Sequence, residues 1–237
     1  MTSTPQASYA IAAAMFFGST AVGVCLLLFY HAYPRFDLIV SQELYVNSNH
    51  FIGSGSHFFN GLRNGFSVLF WLVCTFAVIG CVASLSVRKR KRWLTLSAAQ
   101  WLYLAMCLLI GPLTIANLGF KDHWGRPRPI HVTEFGGSKI YAPPTTPSDQ
   151  CSRNCSFFSG EASSIYIIFF AAVFLFPGEA KFWALSGVIL GTLAGFIRMA
   201  EGGHFFSDVA FAGVFMALTA SAMHMLFVVI GGNRYSD

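Results

Sequence analysis

Three short stretches carry most of the polar chemistry in an otherwise apolar chain. In Arg198-Met199-Ala200-Glu201-Gly202-Gly203-His204-Phe205-Phe206-Ser207-Asp208, His204 and Asp208 are four residues apart. At the start of a helix that spacing puts them on one face. A carboxylate bonded to one imidazole nitrogen turns the other outward as a nucleophile or base. In Lys121-Asp122-His123-Trp124-Gly125-Arg126-Pro127-Arg128-Pro129, four cationic or potentially cationic side chains fall within eight residues, and the two prolines stop regular helix. Arg supplies a planar fork of donors and Lys a point charge, which suits phosphate. Interfacial snorkelling is the plainer alternative for such a run. In Cys155-Ser156-Phe157-Phe158-Ser159-Gly160-Glu161-Ala162-Ser163, Ser159 is a good helix N-cap and Gly160 lets a ligand approach the backbone. Free N–H groups at the positive end of a helix then make an anion site. Glu161 in the first turn is also simply favoured by the helix dipole.

The elements that must position these residues are membrane helices. The 237 residues are 55% hydrophobic and 11% charged, against about 25% charged in soluble domains. Six stretches approach the roughly 20 residues that span a bilayer, at about 9–30, 66–87, 95–119, 159–176, 182–200 and 206–230. The expected fold class is all-α: a polytopic membrane protein with six transmembrane helices in one domain over residues 1–237. The first stretch lacks a basic leader and a small-x-small cleavage site, so it is expected to be retained. The loops at about 31–65 and 120–158 emerge on one side, and residues 57–63 read as a short amphipathic helix lying flat at the interface.

Orientation follows from the basic loops. The run Arg88-Lys89-Arg90-Lys91-Arg92, with Lys181 and Arg234, marks the cytoplasmic side, so both termini are expected there. That run reads as a topology anchor, and no nucleic-acid partner is implied. The polar helix ends face the other way. Charged groups near a membrane are costly and tend to mark function, and three helix ends deliver Lys121, Arg128, Arg198, His204 and Asp208 to one face. Cys25, Cys74, Cys81 and Cys107 sit within spans as small apolar groups. Cys151 and Cys155 lie in the outer loop, where a local disulfide or half of a zinc site is open.

These residues resemble the type-2 phosphatidic acid phosphatase superfamily. Its Lys-x6-Arg-Pro motif is matched by Lys121 with Arg128-Pro129, and its Ser-Arg-x5-His-x3-Asp motif by Arg198, His204 and Asp208, with Ile197 in place of Ser. Its Pro-Ser-Gly-His motif is matched in part by Phe158-Ser159-Gly160-Glu161. The resemblance implies that His204 attacks phosphorus to form a phosphohistidine and that Asp208 fixes its tautomer. It further implies that Lys121, Arg128 and Arg198 hold the phosphate, with backbone donors from Ser159 and Gly160 and no metal or other cofactor. Glu161 stands where the family has its acid histidine. It is either a general acid, which requires a carboxyl kept protonated by burial, or a structural group with water or His123 assisting.

Lys121 to Pro129, Phe135-Gly136-Gly137-Ser138-Lys139-Ile140, Cys151-x3-Cys155-Ser156-Phe157 and Gly202 to Asp208 are further similar to bacterial lipid A 4′-phosphatases. That implies a phosphorylated lipid substrate, the 4′-phosphate of lipid A, dephosphorylated at the periplasmic face of the bacterial inner membrane. Phosphatidylglycerophosphate, undecaprenyl diphosphate and the lipid A 1-phosphate stay open as substrates. So do phosphate transfer to another lipid, an inactive relative, and a non-catalytic lipid-binding or transport role.

Overall fold

The computed structural model describes residues 5–47, 50–86 and 95–231. In chain order these form α1 (Pro5–Ala32), α2 (Phe36–Gln42), an antiparallel pair β1 (Tyr45–Asn47) and β2 (His50–Phe51), α3 (His57–Ser86), α4 (Ala98–Leu108), α5 (Gly160–Leu175), α6 (Ala180–Ala200) and α7 (Phe206–Gly231). Among the described residues, five helices are long and apolar enough to cross a membrane: α1, α3, α4 with its continuation to Lys121, α6 and α7. The stretch expected as the fourth span is α5, apolar but 16 residues long, about 24 Å of helix. The basic run at 88–92 and Arg234 lie outside the described residues.

Residues 57–63 do not form a separate interfacial helix. They are the first turns of α3, because extending a helix adds a hydrogen bond per residue while a second helix needs a new nucleus. Ser97 and Gln100 close a reciprocal cap on α4. Beyond Leu108 the same rod continues through Pro112, which has no N–H to give, as wide i→i+5 turns over Leu109–Lys121. Asn117 Nδ2 donates to the Pro112 carbonyl at 2.8 Å within this segment. The wider turn resets the angular position of Lys121 relative to α4.

α5 is apolar on nearly every side and is packed by α4, α6 and α7, as a helix without a polar face must be. α6 meets α5 along Gly187 and Gly191, and α7 at Gly195. A Cβ there would fall 2.8 Å from Phe170, 2.3 Å from Tyr166 of α5 and 2.2 Å from Val209 of α7. Small residues four apart thus let the backbones close without voids. α1 and α3 lie outermost and turn side chains such as Phe17 and Trp71, 70% and 66% exposed, away from the bundle.

Because the helices alternate in direction, one end of the bundle collects the ends of six elements. They are the C-termini of α1, of the wide turns and of α6, and the N-termini of α3, α5 and α7. The segment between Lys121 and α5 folds back over this end. Cys155 N–H donates to the Lys121 carbonyl at 3.0 Å and Ser156 N–H to that of Arg126 at 2.8 Å. Cys151 and Cys155 are joined by a disulfide, which resolves the choice between a disulfide and half of a zinc site.

Candidate active site

His204 sits between α6 and α7, just after a turn that Gly202 makes with φ +67°. The Gly203 N–H closes that turn on the Arg198 carbonyl at 2.8 Å. The imidazole is buried, with Nδ1 3.5 Å from Asp208 Oδ2 and Nε2 3.7 Å from Glu161 Oε2. Neither ring nitrogen has a hydrogen-bond partner. Asp208, by contrast, is saturated. Its Oδ2 accepts the Phe205 N–H at 2.8 Å and the Ser156 hydroxyl, and its Oδ1 accepts Arg126 Nη1 at 2.5 Å. The carboxylate therefore lies on the Nδ1 side of the ring, and Nε2 looks towards Glu161.

Ser159 caps α5, its side chain accepting the Ala162 N–H at 3.4 Å. Its own N–H donates to the Asp208 carbonyl at 3.1 Å. Ser159 is thus not a free backbone donor, and the first-turn donors left for an anion are those of Gly160 and Glu161. Lys121 crosses this helix end closely: a Cβ on Gly160 would meet Lys121 Nζ at 3.0 Å. Arg198 Nε lies 3.2 Å from Glu161 Oε1 without hydrogen-bond alignment, and Arg198 Nη1 bonds the Glu201 carboxylate.

Two further participants were not singled out from the sequence. Arg63 of α3 is 3.4 Å from Glu161 Oε1 and 3.7 Å from Glu201 Oε2. An ionisable residue next to a long apolar run was the available signal for Arg63; Glu201 had none beyond its neighbours. Arg128 turns to the covering segment, Nη2 donating to the Asn154 carbonyl and Oδ1 at 3.0 Å each. Burial, and then the Arg198 charge, push the Arg128 guanidinium below its ordinary value. His123 is exposed and bonds back to the Gly119 carbonyl at 2.9 Å, outside the set of groups around the cavity.

A cavity of about 290 Å³ opens beside these groups. Arg63, Lys121, Glu161 and Arg198 line its polar part, and Phe66, Phe70 and Trp71 of α3 with Ala194 of α6 line its apolar part. Glu161 stands between this space and His204 Nε2. Such a cavity can hold an anionic group at one end and hydrocarbon at the other, with a buried imidazole next to the anion.

Comparison with known proteins agrees with this chemistry. The PAP2 superfamily profile matches residues 100–230. A lipid A 4′-phosphatase of Francisella tularensis subsp. novicida (strain U112) is 34% identical over 206 residues, 84% of this chain and 89% of its own. A lipid A 4′-phosphatase of Rhizobium leguminosarum is 36% identical over 137 residues, 53% of this chain and 58% of its own. A third, from Rhizobium etli, is 34% identical over 126 residues, 49% of each chain. No solved structure matches.

Proposed function

Because the chain belongs to the PAP2 superfamily, we propose that it is a membrane lipid phosphatase that hydrolyses the 4′-phosphomonoester of lipid A through a phosphohistidine on His204. The observation that carries this is the charge balance of the cavity. Lys121, Arg63 and Arg198 line it against Glu161 alone, an excess of two positive charges, while Arg128 and Glu201 lie outside this lining and offset each other. A phosphomonoester carries about −1.5 to −2 at neutral pH, and the apolar wall of Phe66, Phe70 and Trp71 suits a lipid.

In the proposed reaction the His204 proton sits on Nδ1 towards Asp208, and Nε2 attacks phosphorus. The bond from phosphorus to the sugar 4′-oxygen breaks, and that oxygen takes a proton to leave as an alcohol. Water then attacks the phosphohistidine, releasing inorganic phosphate and restoring the imidazole. Lys121, Arg128, Arg198 and the Gly160 N–H neutralise charge on the phosphoryl oxygens, which is most of what phosphoryl transfer demands. Arg63 adds a fourth cation. For Glu161 the 3.7 Å separation from His204 Nε2 supports proton delivery to the leaving oxygen, provided the carboxylate first takes up a proton as substrate phosphate displaces it from Arg63 and Arg198. Its pairing with Arg198 and Arg63 supports the second reading, a counter-ion that occupies the phosphate's place until substrate displaces it.

The finer topology belongs to the same proposal. Six spans, with α5 as the short central one, put the C-terminus of α3 and the N-terminus of α4, between which the basic run falls in the sequence, at the end opposite the site. The positive-inside rule makes that end cytoplasmic and the site periplasmic. The test is the mass spectrum of lipid A from cells expressing the chain, with fragmentation locating the lost group. Loss of the 4′-phosphate is expected. Loss of the 1-phosphate, or an unchanged lipid A alongside dephosphorylation of phosphatidylglycerophosphate or undecaprenyl diphosphate, would replace the substrate assignment.

A further inference from the structure

Behind His204, on the side away from the cavity, lies a second charged cluster, two of whose members, Asp37 and Arg126, have no part in the phosphate chemistry above. Arg126 has no exposed surface, and every nitrogen of its guanidinium is engaged. Nε donates to the Ala142 carbonyl at 2.8 Å. Nη1 donates to Ser207 Oγ at 2.8 Å and Asp208 Oδ1 at 2.5 Å, and Nη2 to Asp37 Oδ2 at 2.7 Å. Its plane covers the Phe205 ring, 4.3 Å from the centroid. Asp37, equally buried, arrives from α2 and is itself held. Its Oδ1 accepts Tyr30 Oη and the Ser207 N–H, both at 2.9 Å, and its Oδ2 also takes the Ser207 hydroxyl.

We propose that Asp37 and Arg126 are positioning residues, which clamp the Asp208 carboxylate and through it hold the His204 imidazole in its reactive orientation. Two features of the cluster support more than a packing role. Asp208 has each oxygen assigned: Arg126 pins Oδ1, so the oxygen next to His204 Nδ1 is always Oδ2. A planar fork bridging two carboxylates does this with little rotational freedom. The second feature is charge. Arg126 alone would cancel Asp208, whereas Asp37 leaves the trio with one net negative charge behind the ring. That charge favours the positive imidazole that forms as Nε2 bonds to phosphorus, and so acts on the transition state more than on bound substrate.

This inference rests on the phosphatase reading, and the experiment separates the two. Phosphate release from 4′-phosphorylated lipid A is measured with the full-length protein in detergent, for wild type, Asp37→Asn, Arg126→Lys, Asp208→Asn and the Asp37→Asn/Asp208→Asn double variant. Asp37→Asn keeps the size of the side chain and an acceptor for Tyr30 and the Ser207 N–H. The expected result is a kcat about 10- to 100-fold lower, the range for groups that orient a reactive residue from behind, with KM within about twofold. Arg126→Lys, whose single ammonium cannot bridge both carboxylates, should behave likewise. In the Asp208→Asn background the loss from Asp37→Asn should shrink to within about threefold, because residues acting through one chain do not add.

Wild-type kcat in Asp37→Asn, a full additive loss on top of Asp208→Asn, or failure of both single variants to accumulate as folded protein would overturn the proposal in favour of packing alone. A wild-type protein that releases no phosphate, or a His204→Ala variant that still does, overturns the phosphatase reading instead.

Discussion

Two charged regions meet at His204 and are built on opposite plans. On the cavity side, Arg63 and Arg198 each face Glu161 at 3.2–3.4 Å, and Arg198 Nε and His204 Nε2 have no hydrogen bond. On the far side, Asp37, Arg126 and Asp208 are sealed from solvent, with 2.5 and 2.7 Å contacts across the guanidinium. Leaving a buried polar group unpaired costs roughly 1–3 kcal/mol, and more for a charge. In the proposed phosphatase the substrate phosphate supplies partners for the groups on the cavity side. The far side, whose charged groups are all hydrogen-bonded within the protein, is built to fix geometry. The contrast divides the site into a half that binds and a half that aims.

Substitutions can break this division or sharpen it. The largest effect is expected at the junction: His204→Ala should lower turnover by at least about 10³-fold, since removing a nucleophile leaves only binding and electrostatic stabilisation. A phosphatase assay with 32P labelling should also show loss of the phosphoenzyme. On the sealed side, Arg126→Ala leaves two carboxylates buried against each other and should cost about 3–5 kcal/mol of stability, read as a lower thermal midpoint in detergent. An Arg126→Ala protein as stable as wild type would remove the distinction between the halves.

On the cavity side the expected effects are kinetic. Glu161→Gln should slow an alkyl phosphate by about 10²-fold and an aryl phosphate with a good leaving group far less, if Glu161 is the acid. Equal losses on both substrates would assign it to the counter-ion role. The smallest effect is expected at Arg63, which is 42% exposed. Arg63→Ala should change the thermal midpoint little and raise KM roughly fivefold, in line with the 0–1 kcal/mol of an accessible ion pair. A larger fall in stability than that of Arg126→Ala would invert the comparison.

The disulfide and the proline-rich segment show how the two halves are held in register. The chain from Lys121 to Cys155 leaves one helix end and returns to the next, with Arg126 pointing inward and Arg128 outward from a stretch kinked by Pro127 and Pro129. Residues two apart in a regular extended strand would share a face; in this kinked stretch they do not, Arg126 reaching Asp37 and Asp208 and Arg128 reaching Asn154. One motif thus supplies a member of each half. From the sequence alone Arg128 is the phosphate ligand and Arg126 only part of the basic run, because nothing local distinguishes a guanidinium bound for solvent from one bound for the interior.

What the amino-acid order determined by itself was everything that depends on short-range spacing. The apolar runs announce the helices and the Ser159 cap starts α5, because helix geometry is the same wherever the helix lies; His204, expected on one helix face with Asp208, instead precedes α7 and meets that carboxylate from the turn at Gly202. The start of α3 at His57 is not legible in the sequence, since a polar turn continuous with an apolar helix carries no signal that the two are one element. Only the tertiary structure decided who meets whom. Arg63 reaches Glu161 across 98 positions and Asp37 reaches Arg126 across 89. Those meetings depend on the angular phase of each helix, on glycines that let α5 and α7 close on α6, and on the wide turns that aim Lys121. Packing sets these angles through contacts among many residues at once, and no local pattern of residues encodes them.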